Sequence, residues 1–284
     1  MTKIALVTGA TAGFGNAICR TLLKAGYLVI GTGRRQERLA QLEQEYGSQF
    51  FPLAFDISDR QATENAFKTL PTELQAIDLL VNNAGLALGL ESADKANLDD
   101  WEKMIDTNVK GLVTVTRLVL PQMVARNQGH IINLGSIAGN YAYPGGNVYG
   151  GTKAFVKQFS LNLRADLAGT NVRVSNVEPG LCGGTEFSNV RFKGDEERVN
   201  KLYENVDYIR AEDIARTALW LYQCPPHMNV NAIEIMPVAQ TFAAHTVTRK
   251  TAPEGNAAND AASHNAANEA QPKGLFGKLA SLFK

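Results

Sequence analysis

Tyr149 and Lys153 stand one helical turn apart in Tyr149-Gly150-Gly151-Thr152-Lys153, so both side chains leave the same face of a helix. A phenol with an ordinary pKa of about 10 is a poor base at neutral pH, but a neighbouring ammonium favours its phenolate and fits it for proton transfer. Ser136, in Gly135-Ser136-Ile137-Ala138-Gly139, stands just past an apolar run and 13 residues before Tyr149, while Asn108 lies in Asp106-Thr107-Asn108-Val109-Lys110-Gly111. Each of the four also has an ordinary structural reading: a turn cap for Ser136, a helix polar group for Asn108, surface charge for Lys153, core for Tyr149. A second chemical signal is Thr8-Gly9-Ala10-Thr11-Ala12-Gly13-Phe14-Gly15. Glycines there let the backbone turn sharply and approach a pyrophosphate, whose charge the first amides of the following helix stabilise. Many tight turns use glycine, but a glycine-rich turn between a first strand and a helix favours dinucleotide binding.

These residues need a scaffold, and apolar periodicity supplies one. Runs with strand character occur at Lys3 to Thr8, Leu28 to Thr32, Phe50 to Phe55, Leu79 to Asn82, His130 to Leu134, Val172 to Val177 and Ala232 to Met236. Amphipathic stretches separate them: Gly15 to Lys24, Arg35 to Tyr46, Arg60 to Thr69, Leu98 to Arg126 and Val148 to Leu167. That alternation predicts an α/β fold with a parallel, doubly wound sheet of about seven strands in one domain, residues 1–249. Gly150 and Gly151 cost helix stability, so the sequence predicts a close passage there, against a cofactor or a neighbouring subunit.

Composition narrows the function classes. In a chain of 284 residues, 28 Lys and Arg balance 28 Asp and Glu, so there is no global field to recruit nucleic acid or an acidic membrane. The 3 cysteines, Cys19, Cys182 and Cys224, are widely separated, which argues against a disulfide framework or a metal site and for a reducing compartment. Met1 leads directly into a strand pattern, and no apolar run reaches membrane-spanning length, so the expected location is cytoplasmic. Residues 250–272 are rich in Ala and Asn and predict a disordered linker. Residues 273–284 place Leu275, Phe276, Leu279, Leu282 and Phe283 on one helical face opposite lysines, a short basic amphipathic helix suited to an anionic membrane surface or a protein groove.

The spacing TGxxxGxG in the first turn, rather than GxGxxG, together with Asn82-Asn83-Ala84-Gly85 and Tyr149/Lys153, resembles the short-chain dehydrogenase/reductase family over Lys3 to about Val247. The resemblance implies a Rossmann-type fold and a nicotinamide cofactor held by Gly9, Thr11, Gly13, Phe14 and Gly15. Where a dehydrogenase selective for NAD would carry a carboxylate after the second strand, this chain has Gly33-Arg34-Arg35, and two guanidiniums suit a 2′-phosphate; the expected cofactor is NADP(H). Their alternative role is to solvate the start of a helix and pair with Glu37. The family pattern further implies adenine contacts at Asp56 and Ile57, an adenosine-side contact at Asn83, and nicotinamide-end contacts at Pro179, Gly180, Thr185 and Phe187. It implies that Ser136 holds the reacting oxygen, that Tyr149 exchanges the proton, and that Lys153 and an Asn108-held water relay it. Ser188 to Gly194 should form a mobile lid, with Arg191 the candidate for a substrate carboxylate, although solvated lid charge explains that residue equally well.

The combination of TGATAGFG, TGRRQERL, NNAGLALG, GGNVYGGTKAFVKQFSLNLRADL and EPGLCGGTEFSNVRFKGD resembles the bacterial NADP-dependent 3-hydroxy acid dehydrogenases. This implies a small-molecule 3-hydroxy acid substrate of the serine, allo-threonine or 3-hydroxypropionate type, malonic semialdehyde reduction, and a homotetramer built on the two long helices. The residues after about Arg249 depart from the family pattern. Two alternatives stay open: a ketoreductase for an acyl carrier, sugar or other secondary alcohol, and a non-enzymatic NADP-sensing scaffold. Retention of all four of Asn108, Ser136, Tyr149 and Lys153 weighs against the second.

Overall fold

A computed structural model describes residues 2–241 of the chain. Seven strands, β1 (Ile4–Val7), β2 (Leu28–Gly33), β3 (Phe50–Ala54), β4 (Leu79–Asn82), β5 (Gly129–Leu134), β6 (Val172–Pro179) and β7 (Ala232–Ile235), form one sheet in the order β3-β2-β1-β4-β5-β6-β7. Every pairing is parallel. The expected Rossmann-type sheet is present, with each predicted strand within a few residues of its observed span. The expected linker and terminal helix, 250–272 and 273–284, lie outside the described residues.

Parallel strands need crossovers, and helices supply them on both faces. Alternate residues of the central strands feed two cores. Ala5, Val7, Leu79, Val81 and Ile132 face α1 (Gly13–Lys24), α2 (Gln36–Tyr46) and α9 (Ala211–Gln223). Leu6, Ile30, Leu80, Ile131 and Val174 face α3 (Arg60–Lys68), α5 (Leu112–Ala125) and α6 (Asn147–Asp166). Burial on both faces explains why these strands read as continuous apolar runs rather than alternating ones.

Three departures from the sequence expectation concern the site. The helix expected from Leu98 to Arg126 is two helices, α4 (Leu98–Ile105) and α5, joined by a π-helical turn at Asp106–Gly111 that carries Asn108. Gly111 permits that turn, since a Cβ there would stand 2.8 Å from the Ile57 carbonyl oxygen. The expected lid, Ser188 to Gly194, holds most of a short helix, α7 (Phe187–Arg191), and a second helix, α8 (Glu196–Tyr203), follows it. The crossover to β7 is α9, opened by a capping box in which the Asp213 side chain accepts from the Arg210 backbone.

Candidate active site

The order of the sheet reverses between β1 and β4, and beyond the carboxyl ends of the strands there lies a cavity of about 760 Å³. Open α/β sheets bind ligands at such a switch point. Its floor is the turn between β1 and α1, where Gly9 and Gly13 take φ of 71° and 51°, a region side chains disfavour. Thr8 Oγ accepts from the backbone amides of Asn83 and Ala84 at 3.0 and 2.9 Å, and Asn83 Nδ2 donates to the Thr8 carbonyl at 2.8 Å. Asn83 thus braces the turn, while Asn82, donating to Thr116 and Asn133, is buried structure. A Cβ on Gly15 would collide with the Gly9 carbonyl, so the helix can start this close to the turn only with glycine. Ala12, the N-cap of α1, offers no side-chain cap to its first amides. A turn without side-chain bulk leading into an uncapped helix end fits a dinucleotide pyrophosphate.

The corner beside β2 is cationic. Arg35 donates through Nε and Nη2 to Thr11 Oγ1 at 3.2 and 3.1 Å and through Nη1 to Glu186 Oε2 at 2.7 Å. Arg38 donates to Glu186 Oε1 at 2.7 Å and to the Thr11 carbonyl at 3.2 Å. Arg34 pairs with Asp56 at 3.5 Å, and Asp56 also accepts from the Ser58 hydroxyl at 2.7 Å. The Arg35 hydrogen bond holds the Glu186 carboxyl below its ordinary range, with Arg38 acting in the same sense and partial burial opposing both. Arg34, Arg35, Asp56 and Ile57 all line the cavity. Arg38 and Glu186 are additions. Arg38 had a visible signal, standing three residues after Arg35 in the same basic run, whereas Glu186 reaches this corner from 151 residues away.

At the other end, α6 presents Tyr149 and Lys153 side by side, both buried. Burial pushes the Tyr149 phenol up to about 12, against a hydrogen bond with the Ser136 hydroxyl and the charge of Arg191. Ser136 Oγ also accepts from the Ala138 amide at 3.1 Å and faces the Pro179 carbonyl at 3.4 Å, which aims it between β5 and β6. Lys153 Nζ lies 5.9 Å from the centre of the Tyr149 ring and donates to the Leu134 carbonyl at 2.7 Å. Burial lowers its pKa to about 8. The sequence expectation has the Lys153 ammonium favouring the phenolate; in the folded chain the largest influence is burial, which acts the other way, followed by Ser136.

Asn108 is locked from three directions. Its Oδ1 accepts from the Leu86 amide at 2.8 Å, and its Nδ2 donates to the Leu86 carbonyl at 2.8 Å and to Thr152 Oγ1 at 3.1 Å. It converges with Lys153 on Gly85, where a Cβ would stand 3.2 Å from Asn108 Oδ1 and 3.6 Å from Lys153 Nζ. Glycine there keeps the approach between the two side chains open. Gly150 has a local explanation, because its Cβ would stand 2.9 Å from the Ala138 carbonyl oxygen. Gly151 meets nothing within 4 Å among the described residues.

The segment after β6 closes this end. Thr185 stands over Gly13, where a Cβ would touch it at 3.4 Å, and the Phe187 ring is tilted against Tyr149 with centres 6.0 Å apart. Pro179 and Gly180 line the cavity, the Gly180 amide donating to Ile235 at 2.7 Å. Arg191 donates to the Tyr143 hydroxyl at 2.8 Å and lies 5.4 Å from the Tyr149 ring centre. Among the described residues no carboxylate is within ion-pair distance of it. Apolar Leu90, Leu181, Val190 and Phe192 complete this end.

A glycine turn under a switch-point cavity, with serine, tyrosine and lysine at its far end, defines a dinucleotide-dependent oxidoreductase fold. The chain belongs to the short chain dehydrogenase family, whose model matches residues 3–196. It is 70% identical over 249 residues to a probable NADP-dependent dehydrogenase of Haemophilus influenzae, covering 88% of this chain and 99% of the relative. It is 57% identical to an NADP-dependent 3-hydroxy acid dehydrogenase of Escherichia coli, covering 87% of this chain and all 100% of that one. Among solved structures, the closed form of a serine dehydrogenase complexed with NADP+ superposes with a TM-score of 0.86 at 57% identity, over 87% of this chain and 100% of that chain.

Proposed function

We propose that this chain is an NADP(H)-dependent dehydrogenase that interconverts a 3-hydroxy acid and its 3-oxo acid or semialdehyde. The observation that carries the reading is the pairing of two ends in one cavity: a cationic corner at Arg34 and Arg35, and a buried phenol beside Ser136 under the guanidinium of Arg191. The names of the relatives point the same way.

Gly9, Thr11, Gly13, Phe14 and Gly15 hold the pyrophosphate; Arg34 and Arg35 take the 2′-phosphate; Asp56, Ile57 and Asn83 flank the adenosine; Pro179, Gly180, Thr185 and Phe187 face the nicotinamide. When bound, the cofactor supplies or accepts the hydride. The residues do the rest. Ser136 hydrogen-bonds the reacting oxygen, and Tyr149 gives that oxygen its proton in the reducing direction and takes it back in oxidation. Lys153, whose pKa burial lowers to about 8, and Asn108 position the route by which the proton reaches solvent. Arg191 binds the substrate carboxylate, and the apolar wall restricts the remaining space to a short chain.

In this reading malonic semialdehyde is a substrate for reduction and the protein works in the cytoplasm. Exposed Leu98, Phe155 and Leu161 on α4 and α6 support assembly into a homotetramer, for which light scattering should give four times the chain mass. The substrate test offers L-serine, the threonine stereoisomers, 3-hydroxypropionate and L-serine methyl ester with NADP+, following absorbance of the reduced nicotinamide. Oxidation of the free acids and not of the ester supports the reading; equal turnover of the ester, or none of the acids, removes it.

A further inference from the structure

The cationic corner contains more charge of both signs than a simple phosphate grip requires. Arg34, Arg35 and Arg38 are set against Asp56 and Glu186, so three guanidiniums meet two carboxylates and one net positive charge remains. Glu186 takes one hydrogen bond from each of Arg35 and Arg38 at 2.7 Å. Its neighbours Thr185 and Phe187 line the cavity, so the carboxylate arrives from the nicotinamide-side segment and ends among the adenosine-side arginines. An ester phosphate carries about two negative charges at neutral pH. A carboxylate on the same guanidiniums both withholds two of their N–H groups and repels that dianion.

We propose that Glu186, held in place by Arg38, is a specificity-determining residue that moderates the hold of Arg35 on the 2′-phosphate, by competing with it for the Arg35 N–H groups. The inference rests on the NADP(H) reading above. Its consequence is directional: neutralising Glu186 strengthens binding of the phosphorylated cofactor alone. The side chains of Glu186, Arg35 and Arg38 are 44, 37 and 39% exposed, so solvent screens the interaction and the expected change is modest.

The test titrates NADPH and NADH into the full-length wild-type chain and Glu186→Gln, following fluorescence of the bound reduced nicotinamide rather than turnover. Glu186→Gln should bind NADPH ~3- to 5-fold more tightly and NADH with unchanged affinity. Glu186→Ala should move in the same direction and serves as the second variant should the first fail to fold. Unchanged or weaker NADPH binding, or equal tightening of both nucleotides, overturns the proposal, and weakening would make Glu186 a brace for the arginines. Failure of the cofactor reading is visible separately, as a wild-type chain that does not prefer NADPH to NADH.

Discussion

The two ends of the cavity solve different electrostatic problems. At the reacting end, Tyr149 and Lys153 are buried on α6, and loss of water pushes the phenol up to about 12 and the ammonium down to about 8. At the adenosine end, Arg35, Arg38 and Glu186 keep over a third of their side-chain surface in solvent. Burial makes a few groups chemically potent; exposure lets several charges trade partners cheaply. The first end should therefore govern turnover and the second binding, with little leakage between them.

The largest expected effect breaks the reacting end. Tyr149→Phe removes the proton donor and keeps the ring against Phe187, so kcat should fall about 10²- to 10⁴-fold. NADPH affinity, measured by fluorescence, should stay within about twofold of wild type. A kcat that survives in a folded preparation would reassign the chemistry. Next, Arg191→Ala should raise KM for a 3-hydroxy acid about 10- to 100-fold, the range of a lost charge-assisted contact, while a neutral secondary alcohol keeps its KM. A parallel rise for both would make Arg191 a support for Tyr143 rather than a carboxylate site. At the opposite end Arg35→Ala should weaken NADPH about 10-fold and NADH hardly at all, with kcat at saturation preserved.

The smallest effect concerns stability. Lys153 has a folded pKa near 8, below its ordinary 10.5, so above about pH 7 the unfolded chain holds more protons than the folded one. Stability from this group therefore rises as pH increases through 8, by roughly 1 kcal/mol between pH 7 and 8.5. Urea unfolding at the two pH values should show this increment in wild type and its loss in Lys153→Met. An increment of the same size in the variant would place its origin in another group.

The strands and the glycine turn were legible because local sequence dictates them: a strand buried on both faces must be apolar throughout, and Gly9 and Gly13 sit where φ is positive. The π-helical turn at Asp106–Gly111 was not, because Asn108 answers to the Leu86 backbone 22 residues away. Its local sequence continues a helix perfectly well. Arg34 and Arg35 announced a cationic corner, but Glu186 enters it only through the fold. Tyr143, holding Arg191 over the phenol, is likewise a tertiary contact across 48 residues. The burial that sets the Tyr149 and Lys153 pKa values is a property of packing, which the spacing of the two residues on α6 does not carry.

Hydride transfer that needs the 2′-phosphate is the claim on which both ends converge. The direct measurement is kcat/KM for NADP+ and for NAD+ at a saturating concentration of whichever 3-hydroxy acid the wild-type chain oxidises. The account predicts at least a ~10-fold preference for NADP+, the size of one retained charge-assisted contact. Equal use of the two cofactors, or preference for NAD+, would contradict it.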